Sequence, residues 1–297
     1  MLERNLITFL TMAEVQSTVR CAERLHITQP AVTQHLHAVE EEYGSSLFRK
    51  EGRRLVLTDK GKELYELTRR LHTMDRQIAF RMRQESEVPI RFGVTRSINE
   101  GVMPLIAGDL LDHYPDRPVE MTVNNTRTLI ELLEDGIVDF ALIEGNFEHG
   151  KYECRAWMDA EFLGFCGKKG KYSRMTGLSQ AFQAPLLLRE PGSGTRDILE
   201  SVLSARGFEL SNFQKISQFE SIPVILELVK QDRGITFAYR VAVRKELERE
   251  EIEPLPEHVL YLKRQFWFVT LPSSPFAEDF LELFDFFRKT VRKRIPD

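Results

Sequence analysis

Cys21-Ala22-Glu23-Arg24-Leu25-His26-Ile27-Thr28-Gln29-Pro30-Ala31-Val32-Thr33-Gln34-His35-Leu36 is the stretch on which the reading of this chain turns. Val19, Ala22 and Leu25 repeat at helical spacing behind Ser17, a residue suited to capping a helix N-terminus. His26 and Ile27 form a tight break. Thr28 then caps a further helix with Pro30 in its first turn, where a missing N–H costs little. Val32, Leu36, Val39 and Tyr43 supply the buried face of that helix, and Gly44 ends it. At 100° per residue, Gln29, Pro30, Thr33, Gln34 and His37 lie on the opposite, polar face. A helix of this width enters the major groove of DNA, where Gln makes paired hydrogen bonds to adenine and Thr meets a thymine methyl or a phosphate.

The flanks extend the same reading. Leu6, Phe9, Leu10 and Ala13 repeat as an earlier helix. Leu47-Phe48 and Leu55-Val56-Leu57 bracket a Glu51-Gly52 turn, which predicts a two-stranded wing. Arg53 and Arg54 beside that turn suit phosphate or minor-groove contact. Residues 49–62 hold six basic side chains against Glu51 and Asp59. The chain as a whole has a net charge of −4, but its charge is uneven: residues 1–87 carry 14 Lys/Arg and 13 Asp/Glu, and the rest 27 and 32. A small basic stripe on a mildly acidic body fits a DNA-binding head.

Residues 59–86 lack Pro, and Leu64, Leu67, Leu71, Met74 and Ile78 recur at spacings of three and four. This predicts a long helix with a seam of about two heptads for pairing two chains. From Pro89 onward apolar strands (90–94, 119–123, 140–143, 162–166, 186–188, 235–238 and 267–271) alternate with helices (104–114, 129–135, 197–205, 222–230 and 276–292). The pattern predicts α/β structure with parallel sheets in two lobes, and a ligand crevice at the carboxyl ends of the strands.

Three loops after strands are candidate effector contacts. Gly192, Ser193, Gly194 and Thr195 open a helix whose N-terminus favours an anion. Thr95, Arg96 and Ser97 form a second loop, and Asn125 with Thr126 a third. Together they point to a small anionic effector.

With 297 residues, 42% of them hydrophobic and 29% charged, the chain is long enough for two or more globular domains, which excludes a disordered or fibrous protein. No run of 18 apolar residues occurs, and the N-terminus reads as a first helix and not a secretory leader. Three cysteines, Cys21, Cys154 and Cys166, suit a reducing cytoplasm, with Cys154 and Cys166 read as buried thiols. There is no Gly-x-Ser-x-Gly elbow, no complete P-loop and no Cys-x-x-Cys or His-Glu-x-x-His. No catalytic residue, metal site or cofactor is therefore expected.

Residues 22–48 (AERLHITQPAVTQHLHAVEEEYGSSLF) and 52–64 (GRRLVLTDKGKEL) resemble the winged helix-turn-helix of the LysR-type transcriptional regulators. Residues 125–145, 189–196 and 232–243 are similar to three segments of that family's effector domain. Cys21 stands where the family usually has Ala, and residues 97–101 match only in part. The resemblance implies a winged helix-turn-helix over 1–58 and a linker helix over 59–87. It implies a two-lobed, periplasmic-binding-protein-like α/β effector domain over 88–297, with one lobe from 88–162 and 267–297 and the other from 163–266. It also implies a cytoplasmic regulator that dimerises through the linker helix, assembles into tetramers, binds an inverted-repeat operator and has RNA polymerase as a further partner. The alternative is a solute-binding or catalytic α/β protein whose head only oligomerises it.

Overall fold

A computed structural model describes residues 3–52, 54–83 and 88–295. The chain divides into two compact units, Met1–Glu85 with Glu134–Gly136, and Ser86–Leu133 with Ile137–Asp297.

The first unit opens with three helices, α1 (Arg4–Val15), α2 (Thr18–Leu25) and α3 (Gln29–Tyr43). Ser17 Oγ accepts the Arg20 N–H at 3.5 Å, and Thr28 Oγ1 accepts the Ala31 N–H at 3.3 Å, so both expected caps form. The break between α2 and α3 is made by His26 in the left-handed region, with φ of 54°. Phe9, Met12, Cys21, Ala22, Val32, Leu36, Val39 and Leu47 form the core, each large apolar side chain contributing about 1.5–3 kcal/mol by burial. Two residues assigned to buried faces are exposed instead. Val19 is 46% and Tyr43 45% accessible, because each sits at a helix end where no neighbouring element covers it.

The wing follows as β1 (Phe48–Glu51) and β2 (Arg54–Leu57), paired antiparallel around Gly52 at φ 61°. The long helix α4 (Asp59–Met82) begins at Thr58, whose Oγ1 accepts the Gly61 N–H at 3.0 Å and donates to the Ser46 carbonyl at 2.8 Å. Gly61 is required here: a Cβ would sit 2.1 Å from the Leu47 carbonyl oxygen, so only glycine lets the helix start against the wing. The expected continuation of the helix to residue 86 lies partly outside the described residues.

The second unit is mixed α/β. In chain order it contains β3 (Ile90–Thr95), α5 (Arg96–Gly101), α6 (Met103–His113), β4 (Val119–Asn124), α7 (Thr126–Glu134) and β5 (Phe140–Ile143). Next come β6 (Glu153–Gly167), α8 (Leu178–Ala181), β7 (Leu186–Leu188), α9 (Gly194–Ala205), β8 (Ile216–Gln218) and α10 (Ile222–Lys230). The unit closes with β9 (Thr236–Tyr239), α11 (Arg244–Glu248), β10 (Ile252–Pro254), β11 (Tyr261–Thr270) and α12 (Ala277–Arg294).

Among the described residues, the main sheet runs β10-β6-β11-β5-β3-β4, with β9 on the other edge of β6. Parallel sheets throughout were expected, and this is corrected. Among the described residues, the β3/β4, β3/β5 and β7/β8 pairs are parallel, whereas β5/β11, β6/β11, β6/β9 and β6/β10 are antiparallel. The physical reason is the long β6–β11 ribbon. Val269 of β11 pairs with Ala141 of β5 at one end, and Leu163 of β6 pairs with Ala238 of β9 at the other. Two strands that cross from one part of the sheet to the other need no crossover helix between them. In the first half of β6 only Trp157 and Ala160 are buried, the rest being exposed or half-buried, so it lacks the continuous apolar run that reveals its second half. Phe92, Phe140 and Phe268 stack at 5.2 and 4.6 Å, and Phe287 of α12 packs edge-on against Phe92 and Phe140 at 5.6 and 5.9 Å.

Candidate functional site

On α3, Gln29, Pro30, Thr33, Gln34 and His37 are all exposed, while Val32, Leu36 and Val39 face the core. The histidine between them turns inward, with His35 Nδ1 2.9 Å from Thr8 Oγ1. Thr33 donates its hydroxyl to the Gln29 carbonyl at 3.3 Å, which leaves its methyl and a lone pair outward. His37 Nδ1 lies 3.8 Å from Glu40 Oε2. In the wing, Arg54 is exposed opposite Glu51, and Arg53 lies outside the described residues. A polar helix face and a basic hairpin therefore share one small unit.

Along α4, Leu67, Leu71, Ile78 and Met82 are 53%, 56%, 46% and 79% accessible. Spacings of four, seven and four keep them on one stripe, with half-buried Met74 between Leu71 and Ile78. Leu64, expected in the same seam, instead packs with Tyr65 against the core of the first unit. Met82 extends the stripe beyond the expected residues.

In the second unit, the three expected effector loops converge on one residue that the sequence reading missed, Glu144 at the end of β5. Its side chain is wholly buried, and burial drives its carboxyl pKa up to about 7, opposed by the Ser97 hydroxyl and the Arg189 guanidinium. Thr95 donates its hydroxyl to Glu144 Oε2, and Thr126 Oγ1 donates to the Glu144 carbonyl at 2.7 Å. A Cβ on Gly194 would lie 2.6 Å from that carbonyl oxygen, so the start of α9 seats directly on the end of β5.

Ser193, Thr195, Asn125 and Arg96 are also engaged within the protein. Ser193 and Thr195, both buried, share a hydrogen bond of 2.8 Å between their hydroxyls. Asn125 Oδ1 caps α7 by accepting the Thr128 N–H at 2.9 Å. Arg96 lies 3.9 Å from Glu190 Oε1 and 3.7 Å from Glu220 Oε2. Gly192 supplies a left-handed turn at φ 84°. Arg189 grips Glu190 through two bonds of 2.7 and 2.8 Å. Against burial, which raises it, this grip and nearby Arg96 hold the Glu190 carboxyl below the usual range.

A cavity of about 470 Å³ opens beside this cluster, bounded by Gly145 and Asn146 after β5, Tyr239 at the end of β9, Ile198 of α9 and the middle of β11. None of the nine expected effector residues is among its lining. Hydroxyl-bearing loops after strands were legible from sequence, but whether each hydroxyl faces a ligand or a neighbouring strand end depends on tertiary packing.

Two comparisons with known proteins bear on identity. Residues 4–62 match the family model described as the bacterial regulatory helix-turn-helix protein of the lysR family, and residues 83–292 match the LysR substrate binding domain. The chain belongs to the LysR family of transcriptional regulators. As a LysR-type regulator it binds DNA, carries an effector-binding domain and oligomerises. It is 26% identical over 266 residues to the uncharacterized HTH-type transcriptional regulator YeiE of Escherichia coli K12, covering 89% of each chain. It is 25% identical over 271 residues to the RuBisCO operon transcriptional regulator of Allochromatium vinosum, covering 90% of this chain and 88% of that one. Its fold is similar to that of full-length LysG from Corynebacterium glutamicum with bound effector Arg, with a TM-score of 0.62, 16% identity and 99% coverage of both chains.

Two further expectations meet the structure of this LysR-type regulator. Among the described residues no helix is long and apolar enough to cross a membrane. Cys166 is buried as expected, whereas Cys154 is half-buried; burial raises their thiol pKa values to about 12 and about 11, which disfavours the reactive thiolate. The buried polar residues that the sequence reading did not single out, Glu144, Arg189, Glu190 and Tyr239, share one signal. Each is a polar residue at the carboxyl end of an apolar strand run, the place where open α/β sheets bind ligands.

Proposed function

We propose that this regulator reads an inverted-repeat operator by placing the exposed face of α3 in the major groove of each half-site. Gln29, Thr33, Gln34 and His37 read bases there, Pro30 fits the groove wall, and Arg53 and Arg54 of the wing hold the flanking backbone. The observation that carries this reading is the adjacency, on one small unit, of an exposed polar helix face and a basic hairpin. Two chains pair through the stripe of Leu67, Leu71, Met74 and Ile78, which would otherwise leave large apolar side chains in water. Dimers assemble into tetramers in the cytoplasm, and RNA polymerase is the further partner.

The effector is a small anion taken up between two lobes, one of residues 88–162 and 267–297, the other of 163–266. Thr95, Arg96, Ser97, Asn125, Thr126 and residues 192–195 are its contacts, and Thr95, Thr126 and Gly194 also hold the strand ends together around Glu144. A gel-shift assay with the region upstream of the chain's own gene tests the DNA reading. Specific retardation that fails for Thr33→Ala supports it, and retardation of every sequence alike refutes it.

A further inference from the structure

Glu144 is a buried carboxyl at a junction between two parts of the second unit. It follows β5, which pairs with β3 and β11, whereas β7, which leads into α9, pairs with β8. Among the described residues no ladder joins β5 to β7. The end of β5 and the start of α9 meet backbone to backbone instead. A Cβ on Gly145, at φ 97°, would lie 2.6 Å from Gly194 Cα, and one on Gly194 would lie 2.6 Å from the Glu144 carbonyl oxygen. Two glycines in contact interdigitate no side chains, so separating them forfeits little dispersion energy. The ion pairs across the same junction are long, with Arg96 of α5 standing 3.9 Å from Glu190 and 3.7 Å from Glu220. The junction is therefore close but weakly fastened, and a buried carboxyl sits inside it.

What surrounds that carboxyl decides its charge. From β3 and α5, Thr95 donates its hydroxyl to Oε2 and the Ser97 hydroxyl faces it, while Arg96 turns to Glu190 and Glu220. From α7, Thr126 donates to the Glu144 backbone carbonyl, and Arg127 lies against Gly192. From α9, Asp197, raised from its ordinary 3.8 chiefly by burial, interacts with Glu200, Arg127 and Arg196. At the end of β7, Arg189 is the cation that acts on Glu144, but its Nε and Nη2 are taken by Glu190 at 2.7 and 2.8 Å. From β9 comes the Tyr239 phenol, pushed well up by burial and then by Glu144, with Arg264 of β11 opposing. Among the described residues no cation bonds to the Glu144 carboxyl directly, so burial outweighs attraction and its pKa rises to about 7. Glu190 is held below its usual range, and burial keeps His149, across the cavity from Gly145, below 6.5.

We propose that Glu144 makes this junction a proton-operated latch: while its carboxyl carries a proton the end of β5 and the start of α9 stay together, and loss of the proton separates them so that the carboxylate reaches water. The sign follows from burial. The closed junction holds the carboxyl at about 7, and an opened one returns it to its ordinary 4.5, so the closed form binds the proton more tightly. The ratio of open to closed then rises about tenfold between pH 6 and pH 8. The second unit of this DNA-binding regulator thus responds to pH in the neutral range without any ligand.

Amide hydrogen exchange of the full chain tests the latch, read by mass spectrometry from pH 6 to pH 8 and corrected for the intrinsic pH dependence of exchange. Protection at residues 193–199, the start of α9, is expected to fall about tenfold over that range in the wild type. It is expected to be less sensitive to mild urea than protection in β3, because local opening exposes little surface. Glu144→Gln, which cannot ionise, is expected to keep protection constant with pH. Thr95→Val leaves the carboxyl in place but removes a donor to its ionised form, so the midpoint of the fall is expected to move to higher pH. This second variant decides the matter should Glu144→Gln fail to fold. Protection at 193–199 that ignores pH in the wild type overturns the latch, as does a fall that Glu144→Gln shares in full. A midpoint that Thr95→Val leaves unmoved overturns it too. So does exchange at 193–199 as sensitive to urea as in β3, which would mark global unfolding in place of an opening junction.

Discussion

Glu40 Oε1, on α3, accepts the backbone N–H of Leu47 at 2.8 Å, and the same oxygen lies 3.3 Å from the Phe48 amide. One carboxylate thus joins α3 to the strand that begins the wing. The junction is reinforced by Phe9, whose ring meets Phe48 edge-on at 5.6 Å. Glu40→Ala leaves the Leu47 amide, itself 2% exposed, without its acceptor, and should cost about 1–3 kcal/mol of stability. Urea denaturation of the full chain checks this. Glu40→Gln, which keeps an acceptor oxygen, should recover most of the loss, and equal losses for both variants would mean that the carboxylate acts through its charge alone.

Base reading and backbone holding separate in their salt dependence. Gln29→Ala or Thr33→Ala should cost about 1–3 kcal/mol on the operator and little on random DNA, because both side chains lie on the exposed face of α3. Arg54→Ala should weaken both and reduce the slope of log affinity against log salt by about 1. Fluorescence anisotropy over a salt series measures these quantities. If Thr33→Ala left both affinities unchanged, the reading face would lie elsewhere.

Leu71 is 56% accessible, so Leu71→Glu puts a charge in water if the chain is a monomer and into an apolar seam if two helices pair. The expected outcome is loss of the dimer by sedimentation with little change in the melting of the monomeric fold. An undisturbed oligomer would move the interface away from the stripe of Leu67, Leu71 and Ile78.

Glu144 gives the second unit a pH signature. Its carboxyl has a folded pKa of about 7 against an ordinary 4.5, raised chiefly by burial, so the folded state holds a proton that the unfolded state releases. Stability from this group is therefore complete below about pH 4.5 and falls as pH rises through 7, by on the order of 3 kcal/mol in all. Glu144→Gln should remove this fall, making the variant more stable than the wild type above pH 7 and nearly equal to it at pH 5. Melting temperatures across that range, read as the difference between the two proteins, decide the matter. A constant difference would show that Glu144 does not titrate there.

Much of the first unit was legible because its signals are local. Ser17 and Thr28 cap their helices through atoms three residues away, and Gly44 and Gly52 mark turns by their own φ angles. The α3 period separates Val32, Leu36 and Val39 from Gln29, Thr33 and Gln34 without reference to any other element. Tyr43 and Val19 misled because periodicity assigns a face to every residue, while burial also requires a neighbour to cover it, and helix ends run past theirs.

In the second unit the sequence alone determined where most strands and helices lie, and that hydroxyl-bearing segments follow three strands, although Thr95 ends β3 and Arg96, Ser97, Thr126, Gly194 and Thr195 open α5, α7 and α9 where loops were expected. Only the tertiary structure decided what those segments do. Thr95 and Thr126 are 49 and 18 residues from Glu144 in the chain, and Gly194 is 50 away, yet all three close on it. A hydroxyl near a strand end reads the same in sequence whether it faces a ligand or a carbonyl brought from another strand. The choice is made by pairing register and by contacts closer than a single Cβ permits. The same holds for Tyr239: its apolar strand was legible, but the absence of any acceptor for its hydroxyl among the described residues is a property of everything packed around it.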